Sequence, residues 1–226
     1  MNDLNTFFQQ LAAWEGKPPT PVAAAWESCD AKDVASELDR AATACGFESV
    51  WTLVPADISP SATGNRVEKF VAKRMNRHLG RFKIRPCPGN GYPDKKLVRL
   101  ADGDALALEL KATTEFDERD GNRMVLTSGS GKLRKHFKLP VRHLLLTACY
   151  RQQGRRVYIE AIRMDFLQPG TLVNVRFEAS TSKRLLAKSS ETCIWIKVKG
   201  KDNARKSPSP NSPPQPPDRS EREPRQ

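Results

Sequence analysis

The sequence predicts a fold of the α/β (α+β) class, with an N-terminal helical extension followed by a core rich in strands. Apolar residues recur at helical spacing before residue 80, whereas from residue 81 they alternate with charged residues as in strands. A run of helices followed by a run of strands is typical of this class. The chain has 226 residues, enough to bury a core without a metal or a disulfide.

Helices are expected at about residues 2–14, 30–45 and 63–80. The third is the clearest, because Thr63 can cap its start and Gly80 can end it. Its apolar stripe also contains Glu68, which falls between Met75 and Leu79 on the same face. A carboxylate aimed at a core is unfavourable unless it has a partner, so Glu68 becomes a candidate site residue.

Strands are expected at about residues 82–84, 98–100, 105–111, 124–127, 143–150, 157–164, 173–177 and 193–198. The short apolar stretch 50–54 is compatible with either type of element. Residues 200–226 contain seven prolines and almost no apolar residue, so they bury too little surface to offset their ordering entropy. We therefore divide the chain into an N-terminal helical region (1–60), a core (61–199) and a disordered tail (200–226).

The charge of the chain indicates its partner. A formal net charge of +12 favours a polyanion, and nucleic acid is the usual one. An acidic membrane is the weaker alternative, because no apolar run is long enough to span a bilayer. The first residues lack the pattern of a signal peptide, and the five cysteines form no C-x-x-C pair. Both features predict a cytoplasmic protein with reduced thiols.

An Asp-Gly turn at Asp102-Gly103 separates two strand patterns, which is a strong hairpin signal. If these two residues form the loop, Asp94 lies across from Lys111, and Lys96 lies across from Glu109. Residues two apart on a strand share a face, as do cross-strand partners. The sequence therefore predicts that Asp94, Glu109 and Lys111 converge on one face of a hairpin.

This group suits hydrolysis of a phosphodiester, whose negative charge repels nucleophiles. Two carboxylates can hold Mg²⁺ and leave ligand positions for water and substrate. The metal polarises the phosphate and helps to generate hydroxide. A nearby lysine can orient the attacking water and stabilise developing charge, or act as a base if the metal lowers its pKa.

Pro93-Asp94, a spacer, and Glu109-Leu110-Lys111 resemble the motif of the PD-(D/E)xK nuclease superfamily, which includes most type II restriction endonucleases. The resemblance covers roughly residues 61–165. It implies a restriction-endonuclease-like core, a mixed sheet flanked by helices, in residues 61–199. It also implies metal ligation by Asp94, Glu109, the Leu110 carbonyl and an accessory Glu68, with Lys111 positioning water.

Two other interpretations of these residues remain open. Asp94, Glu109 and Lys111 could form an ion-pair ladder on an exposed sheet face, which is a common arrangement. Glu68 could form a structural salt bridge with an arginine instead of binding metal.

A hydroxyl-rich, basic segment follows the strand near residue 127 and could contact DNA phosphates, although a solvated surface turn is the alternative. It is not a phosphate-binding P-loop, because Leu126 and Leu133 stand where Gly and Ser or Thr are required. The candidate DNA contacts are Lys95, Lys96, Thr127, Ser128, Ser130, Lys132, Arg134 and Lys135.

The leading hypothesis is a type II restriction endonuclease that cuts double-stranded DNA as a homodimer with Mg²⁺, for which Mn²⁺ can substitute. Cutting both strands of a palindromic site calls for two active sites related by a two-fold axis. The resemblance also implies a partner DNA methyltransferase in the host. A repair or recombination endonuclease, and a non-catalytic DNA-binding protein with a nuclease-like fold, are the alternatives.

Overall fold

The computed structural model describes residues 2–116, 124–127, 129–173, 176–177, 183–184 and 193–197. Its helices within these ranges are α1 (Leu4–Trp14), α2 (Ser28–Ala44), α3 (Pro60–Met75) and α4 (Gly131–His136). The strands of the first half are β1 (Asn2–Asp3), β2 (Trp51–Leu53), β3 (Phe82–Pro86), β4 (Lys95–Arg99) and β5 (Ala105–Thr113). Those of the second half are β6 (Met124–Thr127), β7 (His143–Gln153), β8 (Arg156–Leu167), β9 (Leu172–Val173), β10 (Arg176–Phe177), β11 (Lys183–Arg184) and β12 (Cys193–Lys197). The predicted tail, 200–226, lies outside the described residues.

Helix α3 begins one turn earlier than the sequence predicted. The Ser59 hydroxyl accepts a hydrogen bond from the Ala62 N–H, and Pro60 occupies the first turn, where its missing N–H has no consequence. Thr63 is therefore a buried residue inside the helix, not its cap. The helix also ends at Met75, before the predicted stop at Gly80.

The central sheet has seven strands and is mixed, as the resemblance implied. Its order is β12-β8-β7-β5-β4-β3, and β2 pairs with β8 outside this path. Strands β5 and β7 run parallel, whereas the other neighbours are antiparallel. The ambiguous stretch 50–54 therefore contains a strand. Two smaller sheets, β1-β9 and β10-β6-β11, lie outside this one.

Helices cover both faces of the central sheet. On one face, α2 and α3 pack against the side chains of Leu106, Leu108 and Leu110 in β5. On the other face, α1 and α4 enclose a second core that includes Ala107 of β5 and Leu145 of β7. Because side chains alternate along a strand, Glu109 and Lys111 project to this second face. No helix of the described residues is long and apolar enough to cross a membrane.

Candidate active site

The β4–β5 hairpin aligns the central residues, but not in the predicted register. Lys95 pairs with Leu108 and Lys96 with Ala107, so the predicted pairing of Lys96 with Glu109 is wrong. Residues 100–103 form a longer loop, closed by hydrogen bonds between Arg99 and the backbone of Gly103 and Asp104. The register differs by two residues, which preserves the face of every side chain.

Continuing this register by one residue places Asp94 across from Glu109, not across from Lys111. The Asp94 N–H donates to Glu109 Oε2 at 3.0 Å. Lys111 Nζ lies 2.9 Å from Glu109 Oε1 and 3.8 Å from Asp94 Oδ2. The structure thus brings together the three side chains that the sequence selected, on one face at the start of β4.

The burial of these side chains distinguishes the cluster from an ion-pair ladder on an exposed sheet face. Glu109 is 2% exposed and the Lys111 side chain 13%, whereas Asp94 reaches solvent with 46% of its side chain. Charged groups are rarely placed in an interior without a partner or a function. The cluster is therefore a recessed group of charges with one solvent-facing carboxylate.

The electrostatics of Lys111 reflect its three acidic neighbours. Burial of the ammonium favours its neutral form, but the charges of Glu109, Glu68 and Asp94 outweigh that effect and raise the pKa of Lys111 above its ordinary value. In this arrangement Lys111 carries its positive charge at neutral pH.

Glu68 lies on α3, close enough for the charges of the cluster to affect its pKa. It is 9% exposed, and no residue in the described part of the chain gives it a hydrogen bond or an ion pair. Burial raises its pKa to about 7; Lys111 and Lys95 oppose the shift, while Glu109 and Asp94 add to it. The predicted alternative, a salt bridge to an arginine, is not formed with any arginine of the described ranges. Glu68 is a buried carboxyl group within the electrostatic field of the three central residues.

The oxygen atoms at this site are of the types that bind a hard divalent cation. Mg²⁺ prefers carboxylate and carbonyl oxygens, which Asp94, Glu109 and a strand carbonyl can supply. The three carboxyl groups that raise the pKa of Lys111 are negative charges that would also favour a bound cation. Ligation by the Leu110 carbonyl stays a prediction; its side chain is fully buried in the first core. In the described residues, no group of three or more histidine, cysteine, aspartate or glutamate side chains is arranged so that it could hold a metal ion.

Lys132 is a fourth charged residue of the cluster, although the sequence predicted it as a DNA contact. Its ammonium lies 3.9 Å from Asp94 Oδ1 and donates to the Gly91 carbonyl at 2.6 Å. The side chain is 6% exposed, although a contact with DNA phosphate was predicted. Nothing in the local pattern of α4 distinguishes this lysine from its exposed neighbour Lys135.

Two further residues beside the cluster were not predicted as site residues from the sequence. His143 is fully buried, accepts from or donates to the Tyr92 hydroxyl at 2.7 Å, and stacks on the Tyr92 ring. Thr147 lies across from Lys111 in the parallel β5–β7 pairing. Its buried hydroxyl has no hydrogen-bond partner within the described ranges. Only the parallel pairing of β5 with β7 brings Thr147 here, and no sequence signal predicts that pairing.

Several predicted DNA contacts have internal partners. Thr127 is fully buried and donates to the Gly129 carbonyl, and Ser130 is fully buried and donates to Glu15. Arg134 donates to Pro18, Thr20 and Ser130. Lys135 is exposed, while Lys95 and Lys96 are partly exposed. Ser128 lies outside the described residues.

Comparison with known proteins shows a weak structural likeness and no match in sequence. No family model matches the chain, and no curated protein matches it. One solved structure that resembles it is that of the tetrameric restriction endonuclease SfiI bound to cognate DNA. The two share 15% identity at a TM-score of 0.37, over 61% of this chain and 63% of that chain. The chain thus spans less than two thirds of its neighbour, and the likeness to a restriction-endonuclease fold is weak.

Proposed function

We propose that this chain is a Mg²⁺-dependent endonuclease that hydrolyses phosphodiester bonds in double-stranded DNA, as a type II restriction enzyme does. The observation that carries the proposal is the recessed cluster of Asp94, Glu109 and Lys111 at the open end of the β4–β5 hairpin. The same three residues form the motif through which the sequence resembles PD-(D/E)xK nucleases.

Each residue of the cluster has a distinct task in this proposal. Asp94, the most exposed of the three, would present its carboxylate as a cation ligand at the mouth of the site, where the scissile phosphate would enter. Glu109 is held by the Asp94 N–H and by Lys111, so its carboxylate is pre-oriented. Lys111 holds the attacking water through its ammonium and stabilises the negative charge that develops on the phosphate.

Asp94 and Glu109 would hold the cation, with the Leu110 carbonyl and Glu68 as further oxygen donors. When bound, a divalent cation supplies Lewis-acid polarisation of the phosphate and acidifies a water. Mn²⁺ would serve the same ligands.

The basic surface and the assembly complete the proposal. A net charge of +12 attracts duplex DNA, and the exposed Lys135 is an available phosphate contact. Cleavage of both strands would use a homodimer, and the host would protect its own DNA with a methyltransferase.

The test is incubation of the purified chain with phage DNA and Mg²⁺, beside the variant Lys111→Ala. We expect discrete fragments from the wild type and none from the variant. Absence of fragments from folded wild type on linear DNA would remove the restriction hypothesis. Activity confined to mismatched or branched duplexes would point instead to a repair or recombination endonuclease.

A further inference from the structure

Lys132, whose side chain is buried at α4, contacts both ends of the segment 91–94. Its ammonium donates to the Gly91 carbonyl at 2.6 Å and lies 3.9 Å from Asp94 Oδ1. The hydrogen bond to Gly91 is the shorter contact, so Lys132 holds the main chain of this segment as well as its carboxylate. Gly91 has a φ of +81°, a backbone conformation that only glycine adopts readily.

The two oxygens of Asp94 face different lysines. Oδ2 lies 3.8 Å from Lys111 Nζ, and Oδ1 lies 3.9 Å from Lys132 Nζ. The lysines reach Asp94 from different elements, β5 and α4. Asp94 lies just before β4, and its main chain is held by the N–H bond to Glu109 and by the Cys87 N–H, which donates to its carbonyl at 2.9 Å. The two lysine contacts then fix where its carboxylate lies.

Helix α4 is in turn anchored by the N-terminal segment. The carboxylate of Glu15, which follows α1, accepts from the Ser130 N–H at 2.7 Å and from the Ser130 hydroxyl at 2.5 Å. Arg134 ties the same helix to the Pro18 carbonyl and the Thr20 hydroxyl. A six-residue helix is too short to be stable alone, so its position depends on these contacts and on burial of Leu133.

We propose that Lys132 is a positioning residue of the active site, fixed by Glu15 of the N-terminal segment, which holds residues 91–94 so that Asp94 stays beside Glu109. This inference rests on the proposed nuclease function. It gives the N-terminal segment a part in catalysis that runs through α4 and that requires no contact between that segment and DNA.

The first measurement does not need catalysis. Hydrogen–deuterium exchange is followed on the full chain for residues 88–94 in wild type, Lys132→Met and Glu15→Ala. Both variants should exchange faster in this segment, because each removes a link in its support. Lys32→Met, the same change at an exposed site on α2, is the matched control and should match wild type. Unchanged exchange in folded Lys132→Met would overturn the proposal, whether or not the wild type cuts DNA.

The second measurement separates positioning from DNA contact. We expect Lys132→Met to lower kcat for cleavage by about 10- to 100-fold, as loss of an outer partner of a metal ligand does, with KM for DNA nearly unchanged. A higher KM, a smaller salt dependence and an unchanged kcat would instead make Lys132 a phosphate contact and refute the proposal.

The double variant tests the route from the N-terminus. If Glu15 acts through Lys132, Glu15→Ala lowers kcat in wild type but has little further effect in Lys132→Met. Fully additive losses would contradict that route. If Lys132→Met does not fold, Glu15→Ala alone carries the exchange and kinetic tests, since it loosens α4 from outside the site. Absence of cleavage by wild type together with faster exchange in the variants would reject the nuclease function and leave the support role standing.

Discussion

Glu109 has the most constrained environment of the charged residues in the site. At 2% exposure its carboxylate accepts from the Asp94 N–H and pairs with Lys111, so both oxygens are engaged. Asp94 is half exposed and is fixed only by contacts from other segments. We therefore expect cleavage to need both carboxylates. The position of the Asp94 carboxylate should depend more on neighbouring segments than the position of the Glu109 carboxylate does.

The conservative variants Asp94→Asn and Glu109→Gln test these carboxylates. Each keeps the shape of the side chain and removes its charge, so each should lower the cleavage rate by at least about 100-fold. Duplex binding, measured by fluorescence anisotropy with Ca²⁺, should stay within a few-fold of wild type. Abolished binding would show that these residues contact DNA and do not act on the chemical step.

His143, a buried residue beside the cluster, should make the stability of the fold depend on pH. Its ring lies between the Tyr92 hydroxyl and the Val22 carbonyl, at 2.7 Å and 3.2 Å. Burial lowers its pKa from 6.5 to about 4, and the Val22 contact opposes the shift. The histidine is therefore neutral in the folded protein at pH 5, whereas the unfolded chain takes up a proton below pH 6.5.

Stability should consequently fall as the pH decreases through this interval. Above pH 6.5 the contribution of neutral His143 is fully present, and it is lost as the pH approaches 4. The loss amounts to about 3 kcal/mol over the whole interval, of which about 2 kcal/mol falls between pH 7.5 and pH 5, and His143→Gln should lack this part of the pH dependence. Urea unfolding at pH 7.5 and at pH 5 measures it in both proteins. Parallel pH profiles for the two would contradict the assignment.

Among the elements, α3 provides a direct test of where a helix starts. Ser59 accepts from the Ala62 N–H, while Ser61, inside the first turn, is exposed. Ser59→Ala should lower the free energy of unfolding by about 1 kcal/mol, and Ser61→Ala should change it by less than about 0.5 kcal/mol. Equal effects in urea titrations would mean that the cap lies elsewhere.

The hairpin shows which parts of an element a sequence can predict. Alternation along β4 and β5 gave the face of Asp94, Glu109 and Lys111 correctly, because the side-chain period of a strand is two. The register was wrong, since the Asp-Gly pair stands at the end of the loop 100–103 and does not form the whole turn. The predicted face was still correct, because a register shift of two residues returns every side chain to the same face of the sheet.

Helix α4 was missed for a different reason. Residues 131–136 have little helical pattern of their own, and they are held by Glu15, which is more than a hundred residues away in the chain. Lys132, His143 and Thr147 enter the site only through such distant contacts. Local patterns identified the residues that share one hairpin, and tertiary packing supplied the others.

At the scale of the whole molecule, the net charge of +12 should dominate the encounter with DNA. Raising salt from about 50 mM to about 200 mM should weaken duplex binding roughly 100-fold or more, since counterions released on binding oppose it at high salt. Anisotropy titrations with Ca²⁺ at several salt concentrations measure the slope. A flat dependence would argue against a duplex-binding surface of this charge.

In the proposed mechanism, the β4–β5 hairpin gathers Asp94 and Glu109 around one divalent cation. Anomalous diffraction from crystals of the full chain soaked with Mn²⁺ tests this most directly. We expect a manganese peak ligated by carboxylate oxygens of both residues, which disappears in Glu109→Gln crystals. Saturating Mn²⁺ that leaves this position empty, with the two carboxylates facing apart, would contradict it.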